Sequence, residues 1–259
     1  MSASHRERGM AESFGIDAAS YDAARPAYPA ALIEQVTGGR RGLEVLDVGC
    51  GTGIAARQLQ DAGCTVLGID PDARMAAYAR ENGLDVEVST FEAWEPAGRR
   101  FDVVTAAQSW HWVDPAIGVP KVAGVLRPGG RLAIFGHVFE PPDAVAKATA
   151  EAYRRVVPDS PFTDQGRRPL ELYQAGYAST ARALSDSGAF TSVEQWRFDW
   201  SRRYTREEWL ALLPTTGGLT RLPARQTEEI LEAAGAAIDA LGGSFLMEYV
   251  TLAVTAPRS

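Results

Sequence analysis

The stretch Leu43-Glu44-Val45-Leu46-Asp47-Val48-Gly49-Cys50-Gly51-Thr52-Gly53 decides the fold. An apolar run with β-branched valines enters a Gly-x-Gly-x-Gly turn, and helical periodicity takes over at Ile54. Glycines at such a strand-to-helix corner let the backbone turn tightly and bring a ligand against main-chain N–H groups. The pattern therefore points to a nucleotide-like cofactor. A nicotinamide or flavin fingerprint, G-x-G-x-x-G, places its third glycine five positions after the first, where helix packs on strand. Ile54 occupies that position; the glycine comes one residue early, at Gly53, and an acid, Asp47, precedes Gly49 by two.

Outward from the turn, Ile54 to Ala62 reads as a helix stopped by Gly63. Thr65 to Asp70 reads as a second, nearly all-apolar buried strand. Asp70 at its tip can accept hydrogen bonds from both ribose hydroxyls of an adenosine; alternatively it caps the helix expected over Pro71 to Glu81. Further strands are expected at Leu84–Ser89, Phe101–Ala107 and Arg131–Phe135, the last after a helix ending near Leu126 and an Arg127-Pro128-Gly129-Gly130 turn. Five strands alternating with helices through short connections imply a parallel sheet wound on both faces.

Taken in order, Y-x-x-x-R-P-x-Y-P at Tyr21–Pro29, D-x-G-x-G-x-G at Asp47–Gly53, FDVV at Phe101–Val104, H-W-x-D at His111–Asp114 and LRPGGRLAIF at Leu126–Phe135 resemble the motifs of class I S-adenosylmethionine-dependent methyltransferases of the type-11, small-molecule kind. The resemblance covers about Tyr21 to Phe135. It implies an α/β, doubly wound, mostly parallel seven-stranded sheet, with S-adenosylmethionine as cofactor and S-adenosylhomocysteine as product. It also implies that Asp47, Gly49, Gly51 and Gly53 lie under the methionine portion and Asp70 holds the ribose. Met75 would flank the adenine, Thr90 and Phe91 would meet its edge and face, and the Ala106 carbonyl would meet the donor's amino group. Tyr21 and Arg25 would close over the cofactor. Many relatives carry an acid where Thr90 stands here.

Composition agrees with a cytoplasmic globular enzyme. A 259-residue chain that is 46% hydrophobic can bury a substantial core. A net charge of −7 argues against a broad nucleic-acid footprint. No apolar run is long enough to span a membrane, and the polar, charged first residues do not read as a signal peptide. Cys50 and Cys64 make no disulfide framework, and three histidines without ligand spacing leave no expected metal site, although carboxylates alone could still serve a magnesium-dependent O-methyltransferase. Nucleotide-hydrolysis and serine-esterase motifs are absent from the sequence.

The chain reads as one domain: an N-terminal helical segment over 1–40, a cofactor-binding core over 41–137, a helical cap insertion over 138–190, and strands and helices over 191–259 that complete the sheet. The insertion holds amphipathic helices at Ala144–Val157 and Leu170–Ser187, joined by a Pro158–Gly166 loop. It is a lid over the crevice or a fixed packing pair. Beyond it come a strand at Ser192–Trp200, a capping box at Thr205–Glu208 starting a helix to Leu213, a helix over Leu222–Leu241, and a final strand over Gly243–Thr255.

Methyl transfer from a sulfonium needs alignment and exclusion of water, and a base only where the acceptor must lose a proton. His111 is the candidate catalytic base, since its ordinary pKa lies near neutrality; packing beside Trp110 and Trp112 is its other reading. Tyr153, Arg154, Tyr173 and Tyr177 are candidate acceptor contacts, and Arg167-Arg168 a candidate carboxylate clamp. The expected partner is a small-molecule acceptor. A protein or RNA acceptor, a nicotinamide oxidoreductase, which Ile54 opposes, and a non-catalytic binding module are the alternatives.

Overall fold

The computed structural model describes residues 12–158 and 169–259, without the side chains of Glu12 and Ser13. Two turns of 3-10 helix, Glu12–Asp17, lead into α1 (Ala18–Ala24) and α2 (Ala30–Thr37). The core then alternates β1 (Glu44–Val48), α3 (Ile54–Asp61), β2 (Thr65–Asp70), α4 (Ala73–Glu81), β3 (Asp85–Val88) and β4 (Phe101–Ala107). A 3-10 turn at Trp110–Trp112, α5 (Pro115–Val125) and β5 (Leu126–Glu140) follow. The C-terminal half contributes α6 (Asp143–Val156), α7 (Pro169–Asp186), β6 (Glu194–Thr205), α8 (Arg206–Leu212), α9 (Ala224–Ala240) and β7 (Ser244–Pro257).

Seven strands form one sheet in the order β3-β2-β1-β4-β5-β7-β6. The β1–β2, β1–β4, β2–β3 and β4–β5 pairs are parallel, while β7 runs antiparallel between β5 and β6. The sheet is therefore mixed, which refines the mostly parallel sheet expected. Strand order reverses between β1 and β4, and the crevice outside the carboxyl ends of strands at such a switch point is where α/β sheets bind ligands.

Alternation along the strands distributes the core. Val45, Val103 and Ala133 face a cluster with α2, α3 and α4, whereas their neighbours Leu46, Val104, Leu132 and Ile134 face a second cluster with α5 and Leu184 of α7. Full burial of a side chain such as Leu46, Leu59 or Leu132 contributes about 1.5–3 kcal/mol. A third cluster joins α6, α8 and α9 to Tyr204, Phe245, Met247 and Tyr249 of β6 and β7.

Two expectations change here. The fifth strand does not begin at Arg131 and end at Phe135: Leu126 already pairs with Phe101, the register shifts across the Gly129-Gly130 turn, and the ladder with β7 continues to Glu140. The two helices expected as one cap part company, because α7 joins the layer on the sheet and α6 packs with α8 and α9. Arg167, Arg168 and all of the Pro158–Gly166 loop beyond Pro158 lie outside the described residues.

Candidate active site

A cavity of about 500 Å³ opens at the carboxyl ends of β1 and β4, within the size range of small-ligand sites. A lobe of about 70 Å³ shares Arg25, Gly49, Gly51 and His137 with it. Of the sequence-derived candidates, Tyr21, Arg25, Gly49, Gly51, Asp70, Met75, Thr90, Phe91 and His111 line the cavity.

The glycine turn is built differently from a phosphate cradle. Gly49 N–H and Cys50 N–H both donate to the Ile69 carbonyl (2.7 and 3.0 Å), and Gly53 N–H donates to the Cys50 carbonyl at 2.9 Å. Gly51 N–H donates to Asp70 Oδ2 at 2.8 Å. These four donors are spent within the protein, so they do not face a ligand as the sequence suggested. An anionic diphosphate would find little here to receive it, whereas a cationic sulfonium loses nothing. Gly49 (φ +67°) is required twice over, since a Cβ would also stand 2.5 Å from Ser109 Cβ. At Gly51 (φ +56°) a Cβ would meet no atom within 4 Å; its open side is where a ligand can approach the backbone.

Asp70 is 7% exposed. Oδ1 accepts from Asp72 N–H and Oδ2 from Gly51 N–H, both at 2.8 Å, which aims the carboxylate and leaves lone pairs on each oxygen. Burial pushes its pKa up to about 6 against these two hydrogen bonds. The helix cap that was its alternative role falls to Asp72, which accepts from Arg74 N–H. The residues present thus fit an adenosyl group: an aimed carboxylate for a diol, an uncluttered glycine, and buried Met75 and Phe91 for a flat base.

Asp47, Gly53 and Ala106 stand behind the wall and do not line the cavity. Asp47 is opposite Thr105 in the β1–β4 register and accepts its hydroxyl at 2.7 Å; Oδ2 is buried without a partner, and burial raises the group to about 7. Gly53 (φ +91°) starts α3 and lets Arg57 and Leu84 approach. Ala106 is packed against the second core cluster; its neighbour Ala107 faces the cavity.

The N-terminal segment closes over this end. Phe14, Tyr21 and Arg25 line it, and Asp22 is anchored by Arg57 at 2.6 Å. The cavity wall also carries His111, Trp112, Phe139 and Tyr173. His111 is half-buried in the 3-10 turn after β4, with its ring 4.5 Å from that of Trp112. Desolvation lowers its pKa to about 4, so it is neutral at physiological pH. Trp110 is core and Trp112 is cavity wall. Tyr173 alone of the four cap candidates reaches the cavity; Tyr153 and Tyr177 pack into the third and second clusters, and Arg154 is exposed.

Sequence reasoning missed Gln108, Ser109 and His137. Gln108 adopts a left-handed conformation (φ +58°) as β4 ends, and its Nε2 donates to the His137 carbonyl at 3.0 Å. His137 is stacked on Tyr28 with ring centroids 4.3 Å apart, and burial lowers its pKa to about 3. Extending β5 past Phe135 would have shown that His137 follows it on the same face.

A methyltransferase-domain family model matches residues 46–134. An uncharacterized methyltransferase of Mycobacterium tuberculosis is 35% identical over 207 residues, spanning 73% of this chain and 83% of its own. The chain belongs to the class I S-adenosylmethionine-dependent methyltransferases. A ubiquinone biosynthesis O-methyltransferase of Agrobacterium fabrum is 31% identical over 170 residues, 62% of this chain and 68% of that one. In fold, this methyltransferase is similar to a protein described as a type II methyltransferase from Anaeromyxobacter dehalogenans, with a TM-score of 0.64 at 22% identity, covering 90% of this chain and 97% of the other. Among the described residues of the methyltransferase, no cluster of three or more His, Cys, Asp or Glu could hold a metal ion, and no helix is long and apolar enough to cross a membrane.

Proposed function

We propose that this methyltransferase, acting as a single domain, transfers the methyl group of S-adenosylmethionine to a small-molecule acceptor inside the cavity at the β1–β4 switch point. The observation that carries the reading is that Asp70 and Gly51 line one continuous cavity together with His111, Phe139 and Tyr173. The donor, when bound, supplies a methyl group already activated on sulfur. Asp70 accepts the ribose hydroxyls, Met75 and Phe91 flank the adenine, and Tyr21 covers the donor from the N-terminal side. Asp47 acts from behind, fixing the glycine turn through β1 and Thr105. No acid stands at Thr90, but the cavity-lining Glu92 two residues on puts a carboxylate at the same edge.

His111 is placed to take the acceptor's proton as the methyl group arrives, since no hydrogen bond among the described residues engages its ring nitrogens. Its neutral form persists down to about pH 4, so activity limited by this base is flat through neutrality and falls in acid. His111→Ala lowers kcat about 10²–10⁴-fold for an acceptor that must lose a proton. The enclosing aromatic wall and the acidic net charge favour a small acceptor over RNA, and the name of the Agrobacterium relative supports a small molecule. Methyl-labelled donor incubated with a cell extract and the protein tests this. Label in the low-molecular-weight fraction is expected; label confined to protein or RNA would overturn it.

A further inference from the structure

We propose that the outer edge of β6 is a self-association surface whose partner is a second copy of this chain, paired antiparallel about a two-fold axis at Phe198. β6 (Glu194–Thr205) is the last strand of the sheet. Its ladder with β7 runs without a register shift from Glu194 opposite Thr255 to Thr205 opposite Ser244. Among the described residues, no backbone group outside that ladder hydrogen-bonds to the main chain of residues 195–204. The far side of the strand is therefore a row of N–H and C=O groups open to another strand.

The two edges of this sheet are treated differently. Sheets usually blunt an edge with a short strand, proline, a bulge or a covering group. β3, at the other edge, has four residues, and Arg80 of α4 donates to the Val86 carbonyl through Nε (3.0 Å) and Nη2 (2.6 Å). β6 has twelve residues and contains no proline, glycine or lysine. Trp196, Phe198, Trp200 and Tyr204 alternate along one face; Tyr204 is buried and the other three are only half-buried. Aromatic residues at every second position suit a strand that is paired on both sides.

The charges on β6 select both the partner and the register. A two-fold axis normal to the sheet keeps each face on one side and makes every cross-strand pairing reciprocal. Centred on Phe198, it sets Trp196 of one copy opposite Trp200 of the other, Glu194 opposite Arg202, and Arg197 opposite Asp199. Arg197 and Asp199 are exposed and already joined within one chain, Nη2 to Oδ1 at 2.6 Å. The axis therefore assembles a quartet of alternating charge. Neighbouring centres fail: on Arg197 or Asp199 each residue meets its own copy, and on Trp200 it is Arg197 that meets Arg203. Opposite charges and aromatic pairs directly across a ladder stabilise it, and like charges destabilise it. No described residue of β6 lines the cavity, so this association is separable from methyl transfer.

The test is sedimentation equilibrium of the full chain from about 1 to 100 μM, with amide hydrogen exchange of β6 over the same range. A reversible dimer is expected, with exchange in residues 194–202 slowing as concentration rises. Asp199→Arg sets arginines opposite one another on both sides of the axis and should weaken the dimer about tenfold or more. Combining it with Arg197→Asp rebuilds the quartet with signs exchanged and should restore the dimer; circular dichroism checks that both variants fold. A chain that stays single up to about 100 μM overturns the proposal, whether or not a strand of another protein takes the edge. So does a dimer indifferent to Asp199→Arg, or one whose β6 exchange does not depend on concentration. A double variant that folds but associates no better than Asp199→Arg overturns the register.

Discussion

At the residue scale, two aspartates near the glycine turn do different work. Asp70 faces the cavity with both oxygens already aimed by N–H donors, so Asp70→Asn keeps the shape but loses charge-assisted acceptance. Donor affinity should fall about 10–100-fold, read by calorimetry. Asp47 is sealed behind the turn. Its pKa, raised by burial from the ordinary 3.8 to about 7, means the folded chain holds a proton that the unfolded chain releases between those values. Stability from this group is therefore present at low pH and lost as pH rises toward 7. Asp47→Asn removes the loss, and its advantage over the wild-type chain should grow with pH to at most about 4 kcal/mol near pH 8. His111 and His137, lowered to about 4 and about 3, act in the opposite sense below 6.5. The difference between denaturation curves of the two chains thus isolates Asp47. The aspartates and glycines were legible because a turn motif specifies types at fixed spacing. The commitment of the turn's N–H groups to Ile69 and Asp70 was not, since it depends on how β2 ends beside the turn.

At the scale of elements, local chemistry wrote most boundaries. The capping box at the start of α8 closes as expected: Thr205 Oγ1 accepts from Glu208 N–H at 3.2 Å and Glu208 Oε2 from Thr205 N–H at 2.9 Å. Thr205→Ala should cost about 1 kcal/mol of stability by urea denaturation. The extension of β5 was illegible, because Gly136 and His137 break an apolar strand pattern. Gly136 is there for space: a Cβ would come 2.2 Å from Gln108 Oε1 and 2.8 Å from the Tyr177 hydroxyl. Gly136→Ala should destabilise by about 1–3 kcal/mol, and adding Gln108→Ala should recover part of it in a double-mutant cycle. The split between α6 and α7 was equally hidden, since both helices show an apolar face and nothing in either names its neighbour.

At the scale of the molecule, the βα rhythm to Phe135 was enough to imply a doubly wound sheet and a crevice at its switch point. The antiparallel insertion of β7 between β5 and β6 brings the C-terminal third alongside that crevice, and with it Tyr249 and the Thr215–Gly217 turn. Long-range pairings of this kind leave little local trace, which is why His111 and Tyr173 were read from sequence while His137, Phe139 and Tyr249 were not.

The central claim is that the cavity takes a sulfonium donor rather than a dinucleotide, and calorimetric titration with S-adenosylmethionine and, separately, NAD tests it most directly. Micromolar binding of S-adenosylmethionine, weakened by Asp70→Asn and absent for NAD, is the predicted result. Binding of NAD alone, or S-adenosylmethionine binding indifferent to Asp70, would contradict the account.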